Sequence, residues 1–153
     1  MLVAEVLIHH LDTLRVLLGP LHVTAAAISR TCPELVGEDG AVIQLESLNG
    51  AAISVFASFA ANGYPAAQLD RLEILGEDGS IRLEGPLLTC SGKSPDERRY
   101  DLAAEYQASY NAAIAHFIHA LRYNHPFETS PEDNLKTLRL VEDCYRLSGW
   151  EAA

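Results

Sequence analysis

Val3, Leu7, Leu11, Leu14 and Leu18 recur at steps of three and four residues, and Gly19-Pro20 follows the last of them. That spacing predicts an amphipathic helix with its leucines turned to a core, stopped by a glycine and a proline. From Leu21 to Leu88 the pattern changes to short β-type runs separated by turn residues. "AVIQLESL" and "AAISVFASFA" flank Asn49-Gly50, a strong hairpin signal in which both turn residues accept positive φ. "LDRLEIL" and "SIRLE" flank Glu77-Asp78-Gly79 and predict a second hairpin. With "LHVTAAAISR" ahead of them, these runs predict an antiparallel sheet of five or six strands. "GEDG" occurs twice, at 37–40 and 76–79, each time before an alternating run, and reads as one turn solution used twice.

"CSGKSPDERRYDL" is the most loop-like segment. Beyond it Tyr106, Tyr110, Ile114, Phe117 and Leu121 mark a second amphipathic helix, running to about Asn124 before His125-Pro126. Ser130 is a good N-cap, Pro131 suits the first helical position, and Leu135, Leu138, Val141 and Tyr145 form the apolar stripe of a last helix. The order helix, strands, helix, helix is that of an α+β domain with helices gathered on one face of an antiparallel sheet. Along "AAISVFASFA" one face carries Ala52, Ser54, Phe56 and Ser58, the other Ile53, Val55, Ala57 and Phe59. Neither is strongly polar, so the outer face is a candidate subunit contact.

Composition narrows the partners. The 153 residues suit one domain, and 48% hydrophobic with 21% charged residues describes an ordinary globular chain. Eleven Lys plus Arg against twenty-one Asp plus Glu give a net charge of −10. With no basic run, neither nucleic acid nor an anionic membrane surface is an expected partner. Cys32, Cys90 and Cys144 are odd in number and far apart, which suggests neither a disulfide framework nor a thiolate zinc site. No targeting or membrane-spanning stretch is read in the chain, so the cytoplasm is the expected compartment.

The candidate chemistry sits in the first helix. At about 100° per residue, Glu5, His9 and Asp12 fall within roughly 60° of one another, opposite Leu7, Leu14 and Leu18. His10 sits at the edge of the apolar side and is expected to pack there with one nitrogen hydrogen-bonded. Three readings of the stripe stand side by side. It is a solvated face in which Glu5 pairs with His9 at i,i+4; or a carboxylate-imidazole pair for proton transfer near neutrality; or part of a divalent metal site completed by another element. His116 and His119, on the polar side of their helix, are expected to meet solvent. No dinucleotide, P-loop or serine-nucleophile motif is present.

Four passages in order resemble one family. "EVLIHHLDTLRVLLG" is similar to a helix of the form D-x-x-x-H-x-x-D-x-x-R-x-L-L-G. "LESLNGAAISVFASF" is similar to that family's central hairpin, "LDRLEILGEDGSIRLEG" to its strand-turn-strand, and "FIHALRYNHPFETSPEDNLKTLRLVEDCYRLSG" to its terminal pair of helices. The chain resembles the C-terminal domain of the glucose-fructose oxidoreductase and inositol dehydrogenase (Gfo/Idh/MocA) family of NAD(P)-dependent oxidoreductases.

The resemblance implies a substrate-binding and oligomerisation domain over residues 1–153, an open-faced, mainly antiparallel sheet with helices on one face. It implies a small-molecule substrate, a sugar, polyol or related hydroxyl compound, and a homo-oligomer formed through the open sheet face. The N-terminal Rossmann domain of the family is absent from these residues. The chain alone is therefore expected to hold no cofactor and to be inactive, with NAD or NADP used by the intact enzyme. The family's proton-transfer histidine maps onto His9 and its preceding Asp onto Glu5, one methylene longer; these are the expected catalytic residues. Asp12 and Arg15 match recurrent positions with a structural role. The competing expectations are a stand-alone dimerising module without catalysis and a metal-binding domain centred on Glu5 and His9.

Overall fold

The computed structural model describes residues 1–65 and 67–151. The chain divides into two compact units, Met1–Tyr64 with Glu128–Ala153, and Pro65–Phe127. Among the described residues the architecture is α+β, with three α-helices and two antiparallel sheets.

In the first unit a π-helical turn, Val3–Leu7, runs into helix α1, Ile8–Leu18. Strands β1 (Leu21–Ser29), β2 (Gly40–Ser47) and β3 (Ala52–Ser58) form a sheet in that order. The last helix of the chain, called α3 because another helix precedes it, is Pro131–Ser148. Leu2, Val3, Leu7 and Leu11 from the first helix, Val23, Ala41, Ile43 and Leu45 from β1 and β2, and Leu140, Val141 and Cys144 from α3 make one buried cluster. The helices thus cover one face of the sheet. The β2 alternation shows why: Ala41, Ile43 and Leu45 point inward and Val42, Gln44 and Glu46 outward.

The second unit holds β4 (Arg71–Gly76), β5 (Gly79–Glu84), β6 (Leu87–Gly92) and β7 (Asp96–Arg99), paired in sequence order. Helix α2, Leu102–Tyr123, follows, capped by the Asp101 side chain, which accepts from the amides of Ala103 and Ala104.

The expected single sheet of five or six strands is instead two sheets of three and four strands. The additional strand is β7, inside the segment expected to be a loop. Its four residues, Asp-Glu-Arg-Arg, are exposed on both faces, so an edge strand of this kind has no apolar alternation to read. Both hairpins form. In the first, the Gly50 amide donates to the Ser47 carbonyl at 2.9 Å, and Gly50 has φ of 83°. Asn49 does not have positive φ; the loop has the geometry of a type I turn closed by a glycine rather than the paired positive-φ turn expected. At the second hairpin Gly79 faces Gly92 across β5 and β6, and a Cβ on Gly79 would lie 1.9 Å from the Ser91 carbonyl oxygen. Glycine is required there by close backbone approach.

The α3 boundaries match expectation, with Ser130 accepting from the Asp133 amide and Gly149 at the C-cap. Its buried face is different: Thr137, Leu140, Val141 and Cys144 are buried, whereas Leu135 and Leu138 are exposed. Small and polar side chains let α3 lie close to α1, and Thr137 is satisfied there by hydrogen bonds described below.

Candidate functional site

The first helix begins on a loop. The Leu2 amide donates to the backbone carbonyl of Glu38 at 3.2 Å, and the Val3 amide to Glu38 Oε1 at 3.0 Å. Two orphan donors of the helix start are thereby satisfied, one by a carboxylate placed where the helix dipole favours negative charge. The Tyr145 hydroxyl of α3 donates to the same Oε1 at 2.6 Å. Burial, then its bond to Glu38, pushes the Tyr145 phenol well above its ordinary range. Glu38 is 1% exposed, and its Oε2 has no partner among the described residues.

On this anchored helix Glu5 and His9 lie on successive turns and are both exposed. Glu5 Oε2 accepts from the α-amino group of Met1 at 2.9 Å. The imidazole of His9 makes no side-chain hydrogen bond to any described residue, and no ion pair joins it to Glu5. Its backbone carbonyl accepts from the Thr13 hydroxyl at 2.9 Å. His10 behaves as expected: Nδ1–H donates to the Val6 carbonyl at 3.1 Å, at the edge of the core.

Asp12 leaves the stripe. Its Oδ1 accepts from Arg15 Nη1 at 3.0 Å and from the Thr137 hydroxyl at 2.6 Å. Arg15 also donates to Thr137 Oγ1 at 2.5 Å and through Nη2 to Asp133 Oδ1 at 2.7 Å. These four side chains cross-link α1 to α3. Hydrogen bonds from Arg15 and then Lys136 hold the Asp133 carboxyl below its ordinary value, against the opposing effect of burial. A groove of about 400 Å³ adjoins this bridge, lined by Arg15, His22, Lys136, Arg139 and Asp143 among others. Glu5 and His9 do not line it.

Two groups were not legible in the sequence. Asp39, 1% exposed, accepts from the Thr31 amide at 2.9 Å and the Cys32 amide at 2.6 Å. Burial opposes its ionisation, but these bonds together outweigh it and lower its pKa. Glu38 and Asp39 are the middle of the first "GEDG", whereas Glu77 and Asp78 of the second form an exposed turn where Asp78 meets Lys93. At the end of α2, Asn124 adopts a left-handed conformation (φ 53°) that folds the chain back. His119 then lies 4.6 Å from the Tyr123 ring and 5.4 Å from that of His125, and Phe127 stacks on Phe117. His119 therefore meets rings as well as the solvent expected for it. Among the described residues no three His, Cys, Asp or Glu side chains are arranged to hold a metal ion, at Glu5 and His9 or elsewhere. No helix among them is long and apolar enough to cross a membrane.

A family model described as "Oxidoreductase family, C-terminal alpha/beta domain" matches residues 1–148. The chain belongs to this family. Among curated relatives of this oxidoreductase C-terminal domain, the D-apiose dehydrogenase of Rhizobium rhizogenes is 34% identical over 150 residues, covering 90% of this chain and 44% of that protein. The D-apiose dehydrogenase of Paraburkholderia graminis is 33% identical over 158 residues, covering 94% and 42%. The domain thus spans less than half the length of the curated relatives it matches. An oxidoreductase from Agrobacterium radiobacter, solved with NAD+, L-tartaric acid and magnesium, superposes with a TM-score of 0.84 at 30% identity, covering 96% of this chain and 46% of that one. The WlbA dehydrogenase of Bordetella pertussis, solved with NADH and UDP-GlcNAcA, shares the fold with a TM-score of 0.75 at 23% identity, covering 93% and 44%.

Proposed function

We propose that this domain is the substrate-side half of an NAD- or NADP-dependent dehydrogenase acting on a sugar or related hydroxyl compound, in which His9 receives the hydroxyl proton and Glu5 assists. The observation that carries it is the exposed His9 imidazole, without a side-chain partner, on a helix whose start is pinned from two other elements. The D-apiose dehydrogenase relatives support the substrate class. The NAD+ and L-tartaric acid of the Agrobacterium structure support a nicotinamide and a small polar substrate.

In such an oxidation the dinucleotide supplies the hydride acceptor for the carbon-bound hydrogen. The ten glycines of this chain include no Gly-x-Gly spacing, so its residues do not fit a dinucleotide cradle and the hydride step is assigned to none of them. What His9 does is hold the leaving proton: the substrate O–H transfers it to a ring nitrogen as the carbonyl forms. Glu5, one turn before it and likewise exposed, assists as a carboxylate placed to accept a hydrogen bond from a substrate hydroxyl. We further propose that copies meet through the outer face of β1–β3, where Ala25, Ala27, Val42, Ser54 and Phe56 are exposed.

The domain alone should show no calorimetric binding of NAD or NADP; micromolar affinity would overturn the division of labour. Joined in place of the corresponding half of a D-apiose dehydrogenase, it should oxidise a sugar. His9→Ala should then lower kcat by on the order of 10²- to 10⁴-fold and leave the KM for NAD+ unchanged. Undiminished turnover removes His9 from the mechanism.

A further inference from the structure

The open face of the first helix extends beyond the pair assigned to proton transfer. Glu5, His9 and Thr13 follow one another at four-residue steps and are all exposed, so they form one row with about 6 Å of helix rise between neighbours. The two remaining polar side chains within a turn of His9 are committed elsewhere. Asp12 is held by Arg15 and Thr137, and His10 Nδ1 bonds the Val6 carbonyl. Past Thr13 the face turns apolar, with Val16 81% and Leu17 50% exposed. Thr13 is therefore the polar group that follows His9 on this face.

The hydrogen-bonding sense of Thr13 is fixed. A threonine hydroxyl has one proton to donate and two lone pairs with which to accept. The Thr13 proton goes to the His9 carbonyl at 2.9 Å, which leaves Oγ1 an acceptor toward anything arriving from outside. Glu5, whose Oε2 takes the Met1 amine, also only accepts as a carboxylate, and His9 accepts at the ring nitrogen that takes the substrate proton. The row thus presents three acceptors and no cationic side chain, because Arg15, the one Lys or Arg of α1, is turned into the contact with α3.

We propose that Thr13 is a specificity-determining residue, accepting a hydrogen bond from a second hydroxyl of the substrate whose first hydroxyl yields its proton to His9. The proposal rests on the reading of His9 given above and narrows the substrate class to neutral polyhydroxy compounds. Such a compound carries donors on successive carbons and can bond two neighbouring acceptors of the row at once. A carboxylate would set acceptors against acceptors here, beside Glu5 in a chain of net charge −10, and would find no cationic partner on this helix face.

The test is titration of the full chain with D-apiose and, separately, with its fully O-methylated derivative, which keeps the oxygens and lacks the donors. Proton–nitrogen NMR follows the His9 and Thr13 amides and the His9 ring. D-apiose should shift the signals of both residues, and the methylated sugar those of neither. Thr13→Val, which keeps the shape and removes the acceptor, should weaken the sugar about 2- to 10-fold, the loss of one hydrogen bond. Thr13→Ser should restore the affinity. Shifts at His9 that Thr13→Val leaves at full affinity overturn the Thr13 contact and spare the reading of His9. No shift at either residue overturns both, and an equal response to the methylated sugar overturns the proposal.

Turnover gives a second readout. In the fusion with the corresponding half of a D-apiose dehydrogenase, Thr13→Val should raise the KM for D-apiose by the same factor, with kcat falling less. A loss confined to kcat would assign Thr13 to the support of His9 alone and overturn its contact with substrate.

Discussion

Glu38 shows how far a local pattern reaches. "GEDG" appears twice with the same neighbours in kind, yet Glu77-Asp78 turns a hairpin in the open and Glu38-Asp39 is closed under the first helix. The four shared residues do not distinguish them. The difference lies in what the long-range fold sets above each: for Glu38, the amide of Val3 and the hydroxyl of Tyr145. His9 and Glu5 were legible because helical spacing alone places them opposite the leucines. Their anchor was not, because it joins residues 35 and 107 positions apart. Glu38→Ala leaves the Val3 amide and the Tyr145 hydroxyl without their acceptor, and should cost about 2 to 4 kcal/mol in urea unfolding. Tyr145→Phe, which removes one of the two bonds, should cost about 1 kcal/mol. A loss below ~0.5 kcal/mol for Glu38→Ala would show that water replaces the protein donors without penalty.

Among elements, the bridge between α1 and α3 explains where helix-face arithmetic succeeded and where it slipped. The leucines of α1 were placed correctly because a long stripe against a sheet obeys period 3.6. Asp12 was assigned to the open stripe and α3 was phased on Leu135 and Leu138. Both errors have one cause: a polar seam of Asp12, Arg15, Asp133 and Thr137 occupies the helix-helix contact, and hydrophobic periodicity cannot register it.

The seam has an acid signature. Asp133 is held below its ordinary value of 3.8, so the folded chain binds that proton more weakly than the unfolded one. The stabilisation is full above the ordinary value and is lost as pH falls through the lowered folded value. Wild type should therefore exceed Asp133→Asn in stability by a constant margin above about pH 5, with the gap closing below about pH 4. Denaturation curves at a series of pH values check this; a gap that widened on acidification would refute the assignment.

At the scale of the whole molecule, buried apolar side chains are concentrated in one unit. Eleven residues form the cluster beneath β1–β3, while in the unit from Pro65 to Phe127 the apolar side chains of α2 stay more than half exposed. Composition averages over both and so showed an ordinary globular chain. Hydrogen exchange at low concentration should protect the amides of β2 and α3 far more than those of α2. Equal protection of both units in dilute solution would contradict the uneven distribution of core.

The π-helical turn at Val3–Leu7 has a consequence for how this helix can change over generations. A π turn amounts to one residue inserted into an α-helix, so its loss by a single-codon deletion would rotate whatever precedes it by about 100°. Leu11 and Leu14, beyond the turn, would stay seated in the core, while Leu2 and Val3, buried ahead of it and tied to Glu38, would be turned out together with Glu5. The phase of the reactive face is thus locked to that of the packing face, and related chains should keep their length at this turn more strictly than at the exposed end of α1.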